Sequence, residues 1–226
     1  MSFNLATYID HTMLKQTTSA SEVDKVCVEA SEEGFYAVCI PPKFVLDAKK
    51  LLKGSKVKVA TVIGFPYGFN TIAEKVAEIE DAIKKGADEV DMVINLSALK
   101  SGDMKYLEDE IVACLKPVYE SRKVIKVIVE SGMLTDNELI AGCALYSNYD
   151  IDFMKTSTGY ADKGASVHAV SIMRAHLPKR IGIKASGGIR SYQFAMELIN
   201  AGATRLGCSA SLLIMREARE AAKNKN

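Results

Sequence analysis

The sequence predicts an α/β chain folded as a (β/α)8 TIM barrel, and three observations carry that expectation. Short apolar runs alternate with amphipathic runs of helical period along the whole chain, eight such apolar runs can be counted, and they are too uniformly apolar to leave one face in water. Strands buried on both faces and separated by helices make a parallel sheet, and eight strand-helix units favour closure of that sheet on itself.

In chain order, a helical N-terminal segment outside the eight units leads into a first short strand, Ile9 to Thr12. Ser21 followed by Asp24 resembles a capping box, and Val23, Val26, Cys27 and Ala30 recur at helical spacing until Gly34 stops the run. Phe35 to Ile40 is the second strand, ended by Pro41 and Pro42, which cannot continue a ladder. Lys56 to Ile63 reads as strand, Thr71 to Lys85 as a helix with Ile72, Val76, Ile79 and Ile83 on one face, and Glu89 to Ile94 as strand. A helix from about Met104 to Tyr119 precedes the strand Val124 to Val129, and Thr135 with Glu138 opens a helix before the strand Ile151 to Met154. Helices over Ala165 to His176 and Ser191 to Asn200 then alternate with strands over Ile181 to Ile183 and Thr204 to Leu206, and a final helix follows. Gly34, Gly86 and Gly202 each stand between a helix and a strand, a weak internal repeat.

The length of 226 residues with 48% hydrophobic content suits a single domain over residues 1–226, and no linker or low-complexity tract divides it. With 29 basic and 28 acidic residues the net charge is +1, too weak a field to imply nucleic acid or a membrane surface as partner. No apolar run is long enough to span a bilayer, and no signal-peptide pattern precedes Asp10 and Lys15, so a soluble cytoplasmic protein is expected. The five cysteines are scattered without CxxC spacing, which fits a reducing compartment. His11, His168 and His176 lack metal-ligand spacing and are expected at the surface or in supporting positions.

In such a barrel the reacting groups project from the C-terminal ends of the strands. Lys155 closes the run IDFM, and Lys184 closes IGIK in the equivalent place further along the chain. Position alone leaves two readings of Lys155 open, a side chain that snorkels to solvent or a nucleophile. A second ammonium nearby would lower its pKa and supply the neutral amine that attacks a carbonyl. Asp91, within EVDMVIN, faces inward with Val93 and Asn95, as a structural ion pair or as a general acid/base. Glycine loops at Gly187, Gly188 and Arg190 and at Gly207 and Ser209 precede helices after the last two strands, where backbone N–H groups can meet a phosphate.

Through DHTML, VIGFPYG, EVDMVIN, KVIVESG, FMKTSTG, GIKASGGIR and GCSAS, the chain resembles the 2-deoxyribose-5-phosphate aldolase family over almost its whole length. The resemblance implies a class I aldolase without metal or other cofactor, acting on a phosphosugar. It implies Lys155 as the Schiff-base lysine, Lys184 as its perturbing partner, and Asp91 acting with Lys184 in proton transfer. It also implies Asp10 and Thr12 near the substrate hydroxyls and the proton relay, with Thr158 and Gly159 flanking the nucleophile. Ala210 stands where the family often has a second serine, and Pro41 where a polar or aromatic residue is usual. Losing one hydroxyl contact to phosphate should cost on the order of 1 kcal/mol. A lysine aldolase for another phosphorylated sugar and a silent phosphosugar-binding barrel are the competing readings, and a homo-oligomer, dimer or tetramer, stays open.

Overall fold

A computed structural model describes residues 3–223, so the first two and last three positions of the expected 1–226 domain lie outside the described residues. Eight parallel strands pair in sequence order: β1 (Ile9–Thr12), β2 (Ala37–Ile40), β3 (Lys58–Ile63), β4 (Glu89–Val93), β5 (Val124–Ile128), β6 (Phe153–Lys155), β7 (Gly182–Ser186) and β8 (Arg205–Cys208). β8 returns to pair with β1 and closes the barrel.

The surrounding helices are α1 (Ala20–Glu33), α2 (Val45–Leu51), α3 (Ile72–Lys84), α4 (Leu96–Ser101), α5 (Met104–Glu120), α6 (Asp136–Tyr146), α7 (Val167–His176), α8 (Tyr192–Asn200) and α9 (Ser211–Lys223). The N-terminal helical segment is a single 3-10 turn, Leu5–Tyr8, rather than a further α-helix. The first strand has the expected bounds, and the ends of the others shift from the sequence expectation by at most three residues. The largest consequence is that Lys155 and Lys184 lie within β6 and β7 rather than just beyond them.

Local chemistry explains the helix starts and stops. The first capping box is formed by Ser19 and Glu22, two residues earlier than the Ser21 and Asp24 pairing expected, and Thr71 with Glu74 and Thr135 with Glu138 repeat it at α3 and α6. Each box satisfies two otherwise orphaned N–H groups. The three repeated glycines end helices in one manner: Gly34, Gly86 and Gly202 take positive φ, and the next residue donates its N–H five residues back, from Phe35 to Ala30, Ala87 to Ala82 and Ala203 to Leu198. Only a left-handed residue permits that closure, which aims the following strand at the core.

The register divides each strand into two faces. Ile9, Val38, Ile40, Val59, Ile63, Val90, Met92, Ile125, Val127, Met154, Ile183 and Leu206 are buried in the layer between sheet and helices. Many (β/α)8 barrels fill the interior with branched aliphatic side chains, but here the inward positions include Asp10, Glu89, Asp91, Lys126, Lys155, Lys184 and Arg205, all buried. Small neighbours make room for these long side chains: a Cβ at Gly207 would approach Lys184 Cε to 3.0 Å.

Candidate active site

Strand register sets the site. Lys155 on β6 is the direct partner of Lys184 on β7, Asp91 on β4 is the partner of Lys126 on β5, and Asp10 on β1 is the partner of Gly207 on β8. Parallel partners point the same way, so a lysine pair, a carboxylate-lysine pair and Asp10 converge on the barrel axis.

Asp91 is the hub. Its Oδ2 accepts from Lys155 Nζ at 2.8 Å and from Lys184 Nζ at 2.7 Å, while its Oδ1 accepts from Lys126 Nζ at 2.7 Å. Lys184 also donates to Asp10, and Asp10 Oδ1 accepts from Arg205 Nη1 at 2.9 Å. Deeper in the barrel Glu89 joins Lys126 at 2.6 Å and Arg205 at 3.1 Å, and the Arg205 guanidinium stacks 3.5 Å from the Tyr36 ring centroid.

The cluster sets three carboxylates, Asp10, Glu89 and Asp91, against four cations, Lys126, Lys155, Lys184 and Arg205. A neutral amine at one lysine balances it, and the environment selects which. Burial lowers the Lys155 pKa and the Lys184 ammonium adds to that, together outweighing the pull of Asp91. Burial acts the same way on Lys184, but Asp10 and Asp91 overcome it and raise its pKa. Lys126 is likewise raised, by Asp91 and Glu89 against its burial. Burial would raise Asp10, yet Lys184, Arg205 and Lys126 hold it at about 2, and the three lysines keep Asp91 well below the usual carboxylate range despite its burial.

A cavity of about 540 Å³ opens above the cluster, lined by Thr12, Lys155, Thr158, Gly159, Gly187, Gly188, Arg190, Gly207 and Ser209 among others. Of the three clustered lysines, Lys155 is the one that lines it. Of the site residues expected from the sequence, Asp10, Asp91 and Lys184 are fully buried beneath the cavity, joined to one another and to Lys155, and the others line it. Thr158 donates its hydroxyl and its amide to the Glu130 carboxylate, which fixes the loop after Lys155. Ala210 occupies the N-cap position of α9, where its carbonyl accepts from Ile214 N, and it offers the first-turn amides no side-chain acceptor. Pro41 lines a neighbouring cavity with Leu14, Lys15 and Tyr160 and not the one above Lys155.

Sequence reasoning missed Lys126, Glu89, Arg205 and Glu130. Lys126 shares the inward parity of Asp91 on the adjacent strand, a signal present in VIKVI but overlooked because it falls in mid-strand. One expectation is corrected: Asn95 does not face inward; its side chain caps α4 by accepting from Ala98 N. His11 takes a supporting position, buried between Ser211 and Glu29, whereas His168 is exposed and paired with Asp136.

Among the described residues, no group of three or more His, Cys, Asp or Glu has an arrangement that could hold a metal ion, and no helix is long and apolar enough to cross a membrane.

Residues 4–214 match the family described as DeoC/LacD family aldolase. The deoxyribose-phosphate aldolase of Caldanaerobacter subterraneus subsp. tengcongensis is 49% identical over 215 residues, covering 95% of this chain and 93% of that one. That of Streptococcus equi subsp. zooepidemicus is 46% identical over 213 residues, covering 94% and 96%. Among solved structures, a deoxyribose phosphate aldolase from Aeropyrum pernix, described as a unique tetrameric structure, superimposes with a TM-score of 0.89 at 30% identity, covering 95% of this chain and 91% of that one.

Proposed function

The chain belongs to the DeoC/LacD family of aldolases, and we propose that it is of the imine-forming class I kind, reversibly splitting 2-deoxy-D-ribose 5-phosphate into acetaldehyde and D-glyceraldehyde 3-phosphate with Lys155 as nucleophile. The observation that carries this reading is the sorting of the three clustered lysines. Lys126 and Lys184 are held as ammonium ions, while Lys155 has a lowered pKa and is the one that lines the cavity.

In this reading the neutral Nζ of Lys155 attacks C1 of the open-chain aldehyde, and loss of water leaves a protonated imine. The imine is an electron sink. As the C3 hydroxyl gives up its proton, the C2–C3 bond breaks, its electrons form an enamine over C1 and C2, and glyceraldehyde 3-phosphate departs with its new carbonyl at C3. A proton returned to C2 and attack by water then release acetaldehyde and regenerate the lysine. Asp91 with Lys184 carries the proton between C3 oxygen and C2 through a water. The pair acts as a unit, because Asp91 alone is too weak a base and Lys184 alone too weak an acid. Asp10, itself kept ionised in part by Arg205, holds Lys184 in its charged form.

The phosphate lies against Gly187, Gly188, Arg190, Gly207 and Ser209, with the amides at the start of α9 adding to the site. Thr12, Thr158 and Gly159 flank the sugar hydroxyls. No metal or other cofactor enters, since the imine supplies the electrophile. The five free cysteines support a cytoplasmic setting, and the near-neutral charge gives no support for nucleic acid as partner. The relative from Aeropyrum pernix supports an assembly of identical chains, each a single barrel domain over residues 1–226.

Product analysis tests the substrate. Incubation with 2-deoxyribose 5-phosphate is expected to release acetaldehyde and glyceraldehyde 3-phosphate in equal amounts. If only other phosphorylated sugars are cleaved, the substrate is wrong although the lysine chemistry stands.

A further inference from the structure

His11 is the one buried imidazole, and the reaction above makes no use of it. It sits on β1 between the inward-facing Asp10 and Thr12, so its own side chain points outward, into the gap between α1 and α9. Nδ1 lies 3.0 Å from Ser211 Oγ on α9, Nε2 lies 2.7 Å from Glu29 Oε2 on α1, and the ring packs 5.3 Å from the Phe35 ring.

Ser211 Oγ is also 2.8 Å from the Cys208 carbonyl oxygen, so the hydroxyl is held between the imidazole and the end of β8, while the Glu29 carboxylate at Nε2 fixes the plane of the ring. The charged groups around it are Glu29 and, 3.8 Å from the other Glu29 oxygen, Lys25, both on α1. α9 contributes only the Ser211 hydroxyl. β8 contributes Cys208, whose thiol burial pushes up to about 12, and β1 carries Asp10 on its opposite face.

Ser211 is the first residue of α9 and, through its bond to Cys208, the clasp of the loop Gly207 to Ser211. That loop is one wall of the phosphate-binding end of the cavity. Resting on the phosphate reading above, we propose that His11 is a positioning residue for phosphate recognition. Held by Glu29, it pins Ser211 and with it the loop Gly207 to Ser211 that walls the phosphate end of the cavity, and thereby favours phosphorylated over unphosphorylated substrates.

The test is steady-state kinetics with the full chain on 2-deoxyribose 5-phosphate and on 2-deoxyribose, together with inhibition by inorganic phosphate. His11→Leu is expected to raise KM for the phosphorylated substrate and weaken phosphate inhibition by roughly tenfold. It should leave kcat, and kcat/KM for 2-deoxyribose, within about twofold. His11→Asn keeps a hydrogen-bonding group toward Ser211 and should recover part of the loss; it also carries the test if the leucine variant does not fold. Equal losses on both substrates, or unchanged phosphate inhibition, would overturn the proposal and leave the phosphate site standing. A wild-type enzyme that neither prefers the phosphorylated sugar nor is inhibited by phosphate would instead remove the phosphate site, and this proposal with it.

Discussion

Replacing Lys184 with methionine should make Lys155 a stronger base and a slower nucleophile at neutral pH. Both lysine Nζ atoms touch the same oxygen of Asp91, at 2.7 and 2.8 Å, so they lie within roughly 5.5 Å of each other. At an effective dielectric of about 20, two unit charges at that separation repel by about 3 kcal/mol. Removing the repulsion therefore lowers the neutral fraction of Lys155 at a given pH by up to roughly a hundredfold. Asp91, left with one fewer cation, pulls harder on Lys155 in the same direction. The variant should still fold, because Asp10 keeps Arg205 at 2.9 Å and Asp91 keeps Lys126 at 2.7 Å. The assay is the rate of covalent capture of acetaldehyde by cyanoborohydride as a function of pH, read by intact mass, which reports imine formation without the later proton transfers. The acidic limb of that profile should move to higher pH, with capture at pH 7 slowed roughly ten- to a hundredfold. A limb that stays in place or moves to lower pH would refute the claim that Lys184 depresses the Lys155 pKa.

Lys126→Met removes the partner of both Glu89 and Asp91, and breaking a buried pair in this way should cost about 3 kcal/mol, measured by urea unfolding, while also slowing capture at neutral pH. A loss below 1 kcal/mol would mean that Arg205 and the other lysines satisfy both carboxylates unaided. Asp10 makes stability fall in acid. Its carboxyl titrates at about 2 when folded, against about 3.9 in an unfolded chain, so its contribution is present above the unfolded value and is lost as pH falls through the folded one. Between pH 4 and pH 2 the unfolding free energy should drop by about 2 kcal/mol more in the wild type than in Asp10→Asn. Parallel curves for the two proteins would show that Asp10 is not held by Lys184 and Arg205.

The fold was legible because its signals are local and repeated. Apolar runs between helix-ending glycines place all eight strands, and the Gly34, Gly86 and Gly202 junctions share one hydrogen-bonded closure. Short or ambiguous elements were not legible. α2 has seven residues and α4 six, too few for a helical period to stand out, and the run TTSAS before α1 offers several possible caps of which geometry uses Ser19. In the site, Lys155 and Lys184 stood out as charges closing apolar runs, and Asp91 as a carboxylate on the inward alternation of its strand. Glu89 and Arg205 begin their strands, where a polar residue resembles an ordinary loop end, and only barrel closure brings them to Lys126 and Asp10. The partnership of Asp10 with Lys184 spans 174 positions and depends on β8 meeting β1. That long-range closure sets Asp10 against Lys184, the proton-relay side of the role expected for it.

The central claim is that Lys155, alone among the clustered lysines, carries the covalent intermediate. Reduction with borohydride in the presence of 2-deoxyribose 5-phosphate, followed by digestion and mass spectrometry, tests it directly. The expected result is a stable adduct on the peptide containing Lys155 and its absence in Lys155→Ala; an adduct on Lys184 or Lys126, or turnover that leaves no lysine modified, would contradict it.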